Sequence, residues 1–434
     1  MLRKIILIGI IIILLTPIPF ITGVNHVISK AKYLGDFYYD LNITDLINIV
    51  NESILQYYLE KFVSFGPKDT GSENCTKTAE WIKQEFEYLG LYTYFDDWKL
   101  NKARDRNVIS IKNGSDLTSD AVILICAHYD TIGNSPGAND DGTGIAAMLA
   151  IANITRNYSF NNTIRFTALS GEEIGTFGSL ADAQRAYKQD ENIIAVLNID
   201  TVGYANTTQD GKYILMSTPE RAEWITLFSD QIAKKYEEQV GIIVQYIPNY
   251  RGSDHQAYID YGYDGVGYVQ PNPDQYHWMH TPEDTIDKIN FSYFVKVTKL
   301  VLATAVELAC KPIDVQIRLI TPYEGYIYLA KYPIFRLPGF NLLRYGLRGM
   351  TYIIGKGLAK VNITTDEEIQ YVIFVIDGDI WWIIREPPYE WTIQATPYSF
   401  FPIRGKHTLQ VGVLTSSGKT AYDEMDIFVI KLLW

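Results

Sequence analysis

Three short apolar runs, AVILICA from Ala121, TIRFTAL from Thr163 and IIAVLNI from Ile193, constrain the chain most, because each is nearly continuous in hydrophobicity and too short for a typical helix. Runs of that kind bury both faces, as strands do inside a sheet covered by helices. NVISI and KYILM extend the set, and segments with helical spacing alternate with them: about Gly142 to Asn157, Phe177 to Tyr187, Pro219 to about Tyr236, and Phe291 to Cys310. Two amphipathic helices precede the first strand, one over Thr44 to Phe65 and one ending at Gly90. The alternation predicts an α/β fold with a mostly parallel or mixed central sheet flanked by helices.

Beyond Lys311 the pattern changes to β-branched and aromatic runs: VQIRLI, GYIYLA, MTYIIG, KVNIT, YVIFVIDGDIWWII, HTLQVGVLTSSGKT and DIFVIKLLW. Asp377-Gly378 and Ser417-Gly418 mark hairpin turns. About seven short strands predict an all-β, immunoglobulin-like sandwich over 312–434. The catalytic candidate is then 25–311, and 1–24 forms a third region.

That region begins Met1-Leu-Arg3-Lys4 and runs almost without a polar residue from Ile5 to Val24, enough to cross roughly 30 Å of hydrocarbon. It reads as a signal peptide or an N-terminal transmembrane anchor, with Arg3 and Lys4 cytoplasmic and the rest extracytoplasmic, either membrane-anchored or secreted. N-x-S/T sequons at Asn42, Asn51, Asn74, Asn113, Asn153, Asn157, Asn161, Asn206, Asn290 and Asn362 suit a glycoprotein. A net charge of -12 without a basic block argues against nucleic acid as partner. Cys75, Cys126 and Cys310 allow one disulfide at most.

The chemistry lies between Ile123 and Thr285. The first run ends in His128-Tyr-Asp130, and twelve residues after His128 the segment GANDDGTG places Asp140 just before a helix. The second run ends in Ser170-Gly-Glu172-Glu173 and the third in Asp200; later comes His277-Trp-Met-His280-Thr-Pro-Glu-Asp-Thr. Three strands thus deliver imidazole or carboxylate at their C-terminal ends, the edge where open α/β sheets build sites. His and carboxylate side chains suit zinc, and a pair of ions needs a bridging carboxylate. Asp130 is spaced to accept the second N–H of His128.

The segments AHYDT, SPGANDDGTG, SGEEIG, LNIDTVGY and MHTPEDT, in this order, resemble the co-catalytic two-zinc aminopeptidases, which include secreted bacterial leucine aminopeptidases and aminopeptidase Y and have glutamate carboxypeptidase II and glutaminyl cyclase as relatives. The resemblance covers roughly residues 45 to 310. It implies a zinc exopeptidase fold, peptide substrates and two Zn2+ ions, with Asp140 as bridge, His128 and Asp200 on one ion, Glu173 and His280 on the other, and Glu172 as general base. Members often carry Tyr before the last His, where this chain has Met279, so Tyr276 or His277 is expected to supply an oxyanion or substrate contact.

Other readings carry less. Cys126 lies inside an apolar run and reads as a core thiol. His255, in RGSDH, reads equally as a loop histidine. GANDDGTG lacks a phosphate-loop ending, and no G-x-S-x-G elbow occurs. A carboxypeptidase on the same scaffold needs a cationic clamp, for which Arg251 is the candidate. A related cyclase uses one zinc, and a non-catalytic membrane-displayed receptor has no need of the full ligand set.

Overall fold

A computed structural model of the chain describes residues 42–117, 119–218, 222–248, 252–311, 315–322, 325–336, 350–365, 367–393 and 405–430. The apolar stretch of 1–24 lies outside them, as does Arg251. Two compact units emerge, one from Asn42 to Asp314 and one carrying the residues from Val315 on.

The first unit opens with α1 (Ile43–Ile49), α2 (Glu52–Val63) and α3 (Glu73–Tyr88). The single helix expected over Thr44 to Phe65 breaks in two: Val50 turns extended, and the Asn51 side chain accepts from the N–H of Ile54, starting a new helix three residues on. Next come β1 (Tyr92–Leu100), β2 (Ala103–Lys112), β3 (Val122–His128), α4 (Gly142–Thr155), β4 (Thr163–Leu169), α5 (Phe177–Lys188) and β5 (Ile193–Ile199). The unit closes with β6 (Tyr213–Thr218), α6 (Glu223–Lys235), α7 (Glu237–Val240), β7 (Ile243–Pro248), α8 (His255–Ile259), β8 (Gly265–Val269) and α9 (Phe291–Cys310).

The eight strands form one sheet in the order β1-β2-β4-β3-β5-β8-β6-β7. The central strands β4, β3, β5 and β8 are parallel, whereas β1–β2, β2–β4 and β6–β8 pair antiparallel, so the sheet is mixed. Strand β3 is buried along its whole length, as its unbroken apolar run requires. The chain passes from β3 to β4 on one side and then crosses to β5 on the other, and that reversal opens a crevice at the C-terminal ends of these strands.

The second unit holds β9 (Gln316–Thr321), β10 (Tyr326–Leu329), β11 (Tyr332–Arg336), β12 (Met350–Ile354), β13 (Gly357–Thr364), β14 (Ile369–Ile376), β15 (Asp379–Ile384), β16 (Glu390–Ile393), β17 (Gly405–Thr415) and β18 (Thr420–Ile430). A seven-stranded sheet β11-β10-β12-β18-β17-β14-β15 and a three-stranded sheet β16-β13-β9 share a core that includes Trp391, Val361, Phe374, Val411 and Ile427. The turns fall where expected, with Asp377 at φ 53° and Gly378 at φ 92° between β14 and β15. A β-sandwich is present. It has ten described strands instead of about seven, and two of its pairings, β10–β12 and β12–β18, are parallel; an immunoglobulin-like assignment does not follow from this topology.

Candidate metal centre

His128 closes β3 and is almost wholly buried, with its Nε2 3.2 Å from Asp140 Oδ1 and 3.9 Å from Asp200 Oδ1. The Nε2 of His280 stands 3.2 Å from Asp140 Oδ2 and 3.1 Å from Glu173 Oε2. Two triads result, His128–Asp140–Asp200 and Asp140–Glu173–His280, and within each the donor atoms lie within 4.8 Å of one another. Asp140 belongs to both, turning one oxygen to each imidazole. Among the described residues no other group of three such side chains converges.

The electrostatics select a cation. Burial alone would raise the Asp140 carboxyl, but hydrogen bonds with His128 and His280 outweigh it and hold the group well below the usual carboxylate range. Hydrogen bonds with Asp140 and Glu173 push His280 up to about 10. Burial raises Glu172 and Glu173, with the Asp140 charge raising each further. A nitrogen–oxygen donor set with this surplus of carboxylate fits a divalent ion with imidazole affinity such as zinc.

Each loop is fixed by contacts that spacing alone does not reveal. Asp140 precedes α4, and its neighbour Asp141 caps that helix by accepting from Gly144 N–H at 2.9 Å. The Asp141 carboxylate also accepts from the N–H groups of His128 at 3.3 Å and Thr201 at 3.2 Å, joining the ends of β3 and β5. The turn Ser170–Glu173 rests on Trp98, whose indole N–H donates to Ser170 Oγ at 3.0 Å. Gly171, at φ 76°, lies over the same ring; a Cβ there would stand 2.7 Å from Trp98 Cζ2.

Asp130 differs from expectation. A His128 that keeps Nε2 for a metal carries its proton on Nδ1, and the nearest acceptor is the Asp130 backbone carbonyl at 3.1 Å, while the carboxylate stands at 3.7 Å. That carboxylate instead accepts from Thr70 Oγ1 at 2.8 Å and from the N–H groups of Glu172 and Glu173 at 3.2 and 3.4 Å. Its work is to place the two glutamates.

Tyr276 is buried and donates its hydroxyl to Asp284 at 2.5 Å, so the oxyanion contact expected of it is already committed to the loop. It packs with Tyr204 and Trp278, ring centroids 5.0 and 5.6 Å away. His277 is exposed. His255 is fully buried beneath β8, where a Cβ on Gly267 would meet its ring at 2.8 Å. The adjoining Asp254 is also buried, and desolvation raises its carboxyl to about 7. Cys75, Cys126 and Cys310 are all free thiols, and Cys126 is buried in β3.

Lys68 also secures the loop leading to Asp140. Its buried ammonium donates to the carbonyls of Gly66 and Pro136 at 2.7 and 2.8 Å and lies 4.1 Å from the Phe62 ring centroid. Burial pushes its pKa down to about 7 from an ordinary 10.5. Between those values the unfolded chain holds a proton that the folded chain releases, so this group makes stability rise with pH across that interval. Urea denaturation at about pH 7 and pH 9 is expected to show a smaller pH-dependent gain in Lys68→Met than in the wild type; equal gains would contradict the assignment.

The comparisons agree with this geometry. The model of peptidase family M28 matches residues 107–305, which contain β3, β4, β5 and both triads. This stretch resembles an M28 peptidase domain. The chain is 27% identical over 340 residues to a probable zinc metalloprotease of Pyrenophora tritici-repentis, covering 63% of this chain and 77% of that protein. It is 26% identical over 315 residues to leucine aminopeptidase 1 of Phaeosphaeria nodorum, covering 66% and 78%. The LapA aminopeptidase of Legionella pneumophila shares the fold with a TM-score of 0.57 at 23% identity, covering 65% of this chain and 78% of that one.

Proposed function

We propose that this chain is a two-zinc aminopeptidase of the M28 type that removes N-terminal residues from peptides. The observation that carries the reading is the shared Asp140, with an imidazole on each of its oxygens, and Glu172 next to the ligand candidate Glu173 in the chain. His128, Asp140 and Asp200 would hold one ion and Asp140, Glu173 and His280 the other. Bound zinc supplies the positive charge that polarises the scissile carbonyl and acidifies water. Glu172, outside both triads, takes the proton of the attacking water and returns it to the leaving amine. Asp130 holds the Glu172 backbone for that transfer.

The proposal includes an extracytoplasmic site of action, supported by Arg3, Lys4 and the apolar run from Ile5 to Val24. Among the described residues no helix is long and apolar enough to cross a membrane, so any membrane attachment rests on that run. Of the ten sequons, those at Asn42, Asn51, Asn113, Asn157 and Asn206 have exposed asparagines, which suits glycosylation of an exported chain.

The test compares a short Leu-headed peptide with its N-acetylated twin, digested by the zinc-loaded chain and read by mass spectrometry. Loss of the first residue from the free peptide alone is the expected result. Trimming of both peptides from the other end would replace the reading with a carboxypeptidase. No zinc-dependent cleavage of either would remove peptidase action altogether.

A further inference from the structure

One residue holds the segment that carries the shared carboxylate. Three successive N–H groups, those of Ala138, Asn139 and Asp140, donate to Asp284: to its backbone carbonyl at 3.1 Å, its Oδ1 at 2.9 Å and its Oδ2 at 3.1 Å. Tyr276 adds its hydroxyl to Oδ1. Asp284 is fully buried and lies four residues beyond His280. The same two loops touch again at Gly133, where a Cβ would stand 2.3 Å from the carbonyl oxygen of His280.

We propose that Asp284 is the positioning residue that sets Asp140 against His280, and through them the affinity of the Asp140–Glu173–His280 site for its metal; the assignment rests on the zinc reading above. The backbone of Asp140 is fixed through its own N–H and the two before it, so the direction of its Cα–Cβ bond is fixed as well. Only a carboxylate offers an oxygen to each of two neighbouring N–H groups and still accepts from a phenol. An asparagine presents one oxygen and one NH2 group, and the NH2 would face a donor. Through Asp140 it reaches both sites, but it joins the Asp140 and His280 loops, both of which serve the Asp140–Glu173–His280 site, whereas the other site shares only Asp140, so its influence is larger on the first.

The test titrates zinc into the metal-stripped full chain and into Asp284→Asn, using a competing chromophoric chelator, alongside thermal melts of both stripped proteins. The expected result is two binding steps in the wild type, with one step loosened about 10- to 100-fold in the variant and the other loosened clearly less. Wild-type affinity in both steps overturns the assignment, as does an equal loss in both steps that tracks a lower melting temperature of the stripped protein. Should the Asn variant fail to fold, Asp284→Glu keeps both acceptors but displaces them by one methylene. The same split at smaller size is expected there, and unchanged binding overturns the assignment. A wild-type chain that takes up no zinc overturns the zinc reading, and this assignment with it.

Discussion

Glu172→Gln is expected to lower kcat for a Leu-headed peptide by about 10^2- to 10^4-fold, the span that a general acid–base residue contributes. The amide matches the carboxylate in shape, so the turn it occupies should persist. Its backbone N–H still reaches Asp130 Oδ1 at 3.2 Å, and Gly171 still sits on Trp98. What the amide cannot do is accept a proton from water and deliver it to an amine. Because Glu172 belongs to neither triad, zinc content measured by elemental analysis should match the wild type. Glu173→Gln is the contrasting variant, since it removes a charge from the Asp140–Glu173–His280 group and should lose zinc together with activity. A Glu172→Gln enzyme that is fully loaded and within tenfold of wild-type kcat would remove Glu172 from the base role.

Much of this geometry follows from where strands end. AVILICA, TIRFTAL and IIAVLNI are uninterrupted apolar runs because β3, β4 and β5 are covered on both faces, and a strand that leaves such a core ends where polar residues begin. His128, Glu172–Glu173 and Asp200 therefore stand out in the sequence. Asp141 and Asp284 do not, because their task is to collect backbone N–H groups from remote loops, and that is a property of tertiary structure. Trp98 is hidden for a related reason. It lies in YTYFDDWKL, whose mixed polarity obscures the strand, and it reaches Ser170 only because the β1–β2 hairpin pairs beside β4. The sequence pattern allows a mostly parallel or a mixed sheet, and the antiparallel pairings of β1–β2, β2–β4 and β6–β8 make it mixed, since pairing direction depends on connections and not on hydrophobicity.

The placement of Tyr276 and Asp130 shows the limit of carrying roles by proximity along the chain. Both are polar, and both lie within a few residues of an imidazole. Each spends its side chain on holding backbone: Tyr276 through Asp284, and Asp130 on the N–H groups of Glu172 and Glu173. Buried hydrogen-bonding groups must be satisfied, and in a loop-built site the groups in need of partners are mostly backbone. Such a site has more positioning residues than reacting ones.

The largest stability effect is expected outside the two triads, in the ion network between β4 and α5. Arg165 is 1% exposed and pairs with Asp182, and with Glu191 at 2.7 Å. Asp182, fully buried, also receives Arg185 and the Tyr258 hydroxyl at 2.5 Å. Burial tends to raise the Asp182 carboxyl, but the charges of Arg165 and Arg185 more than offset this and keep it ionised below the ordinary range. Asp182→Ala would leave a buried guanidinium short of its closest counter-charge and a buried phenol without its acceptor. Removing one partner of a buried pair costs about 3–5 kcal/mol, which for a unit of this size lowers Tm by roughly 10 °C. The exposed i,i+4 pair of Lys234 and Asp230, at 2.5 Å, supplies the contrast. Asp230→Ala should cost less than about 0.5 kcal/mol, because solvent screens both charges. Chemical denaturation of the two variants distinguishes burial from mere proximity: if Asp182→Ala proved no more harmful than Asp230→Ala, the network would be incidental to stability, and helix α5 would have to be held on the sheet by its apolar contacts alone.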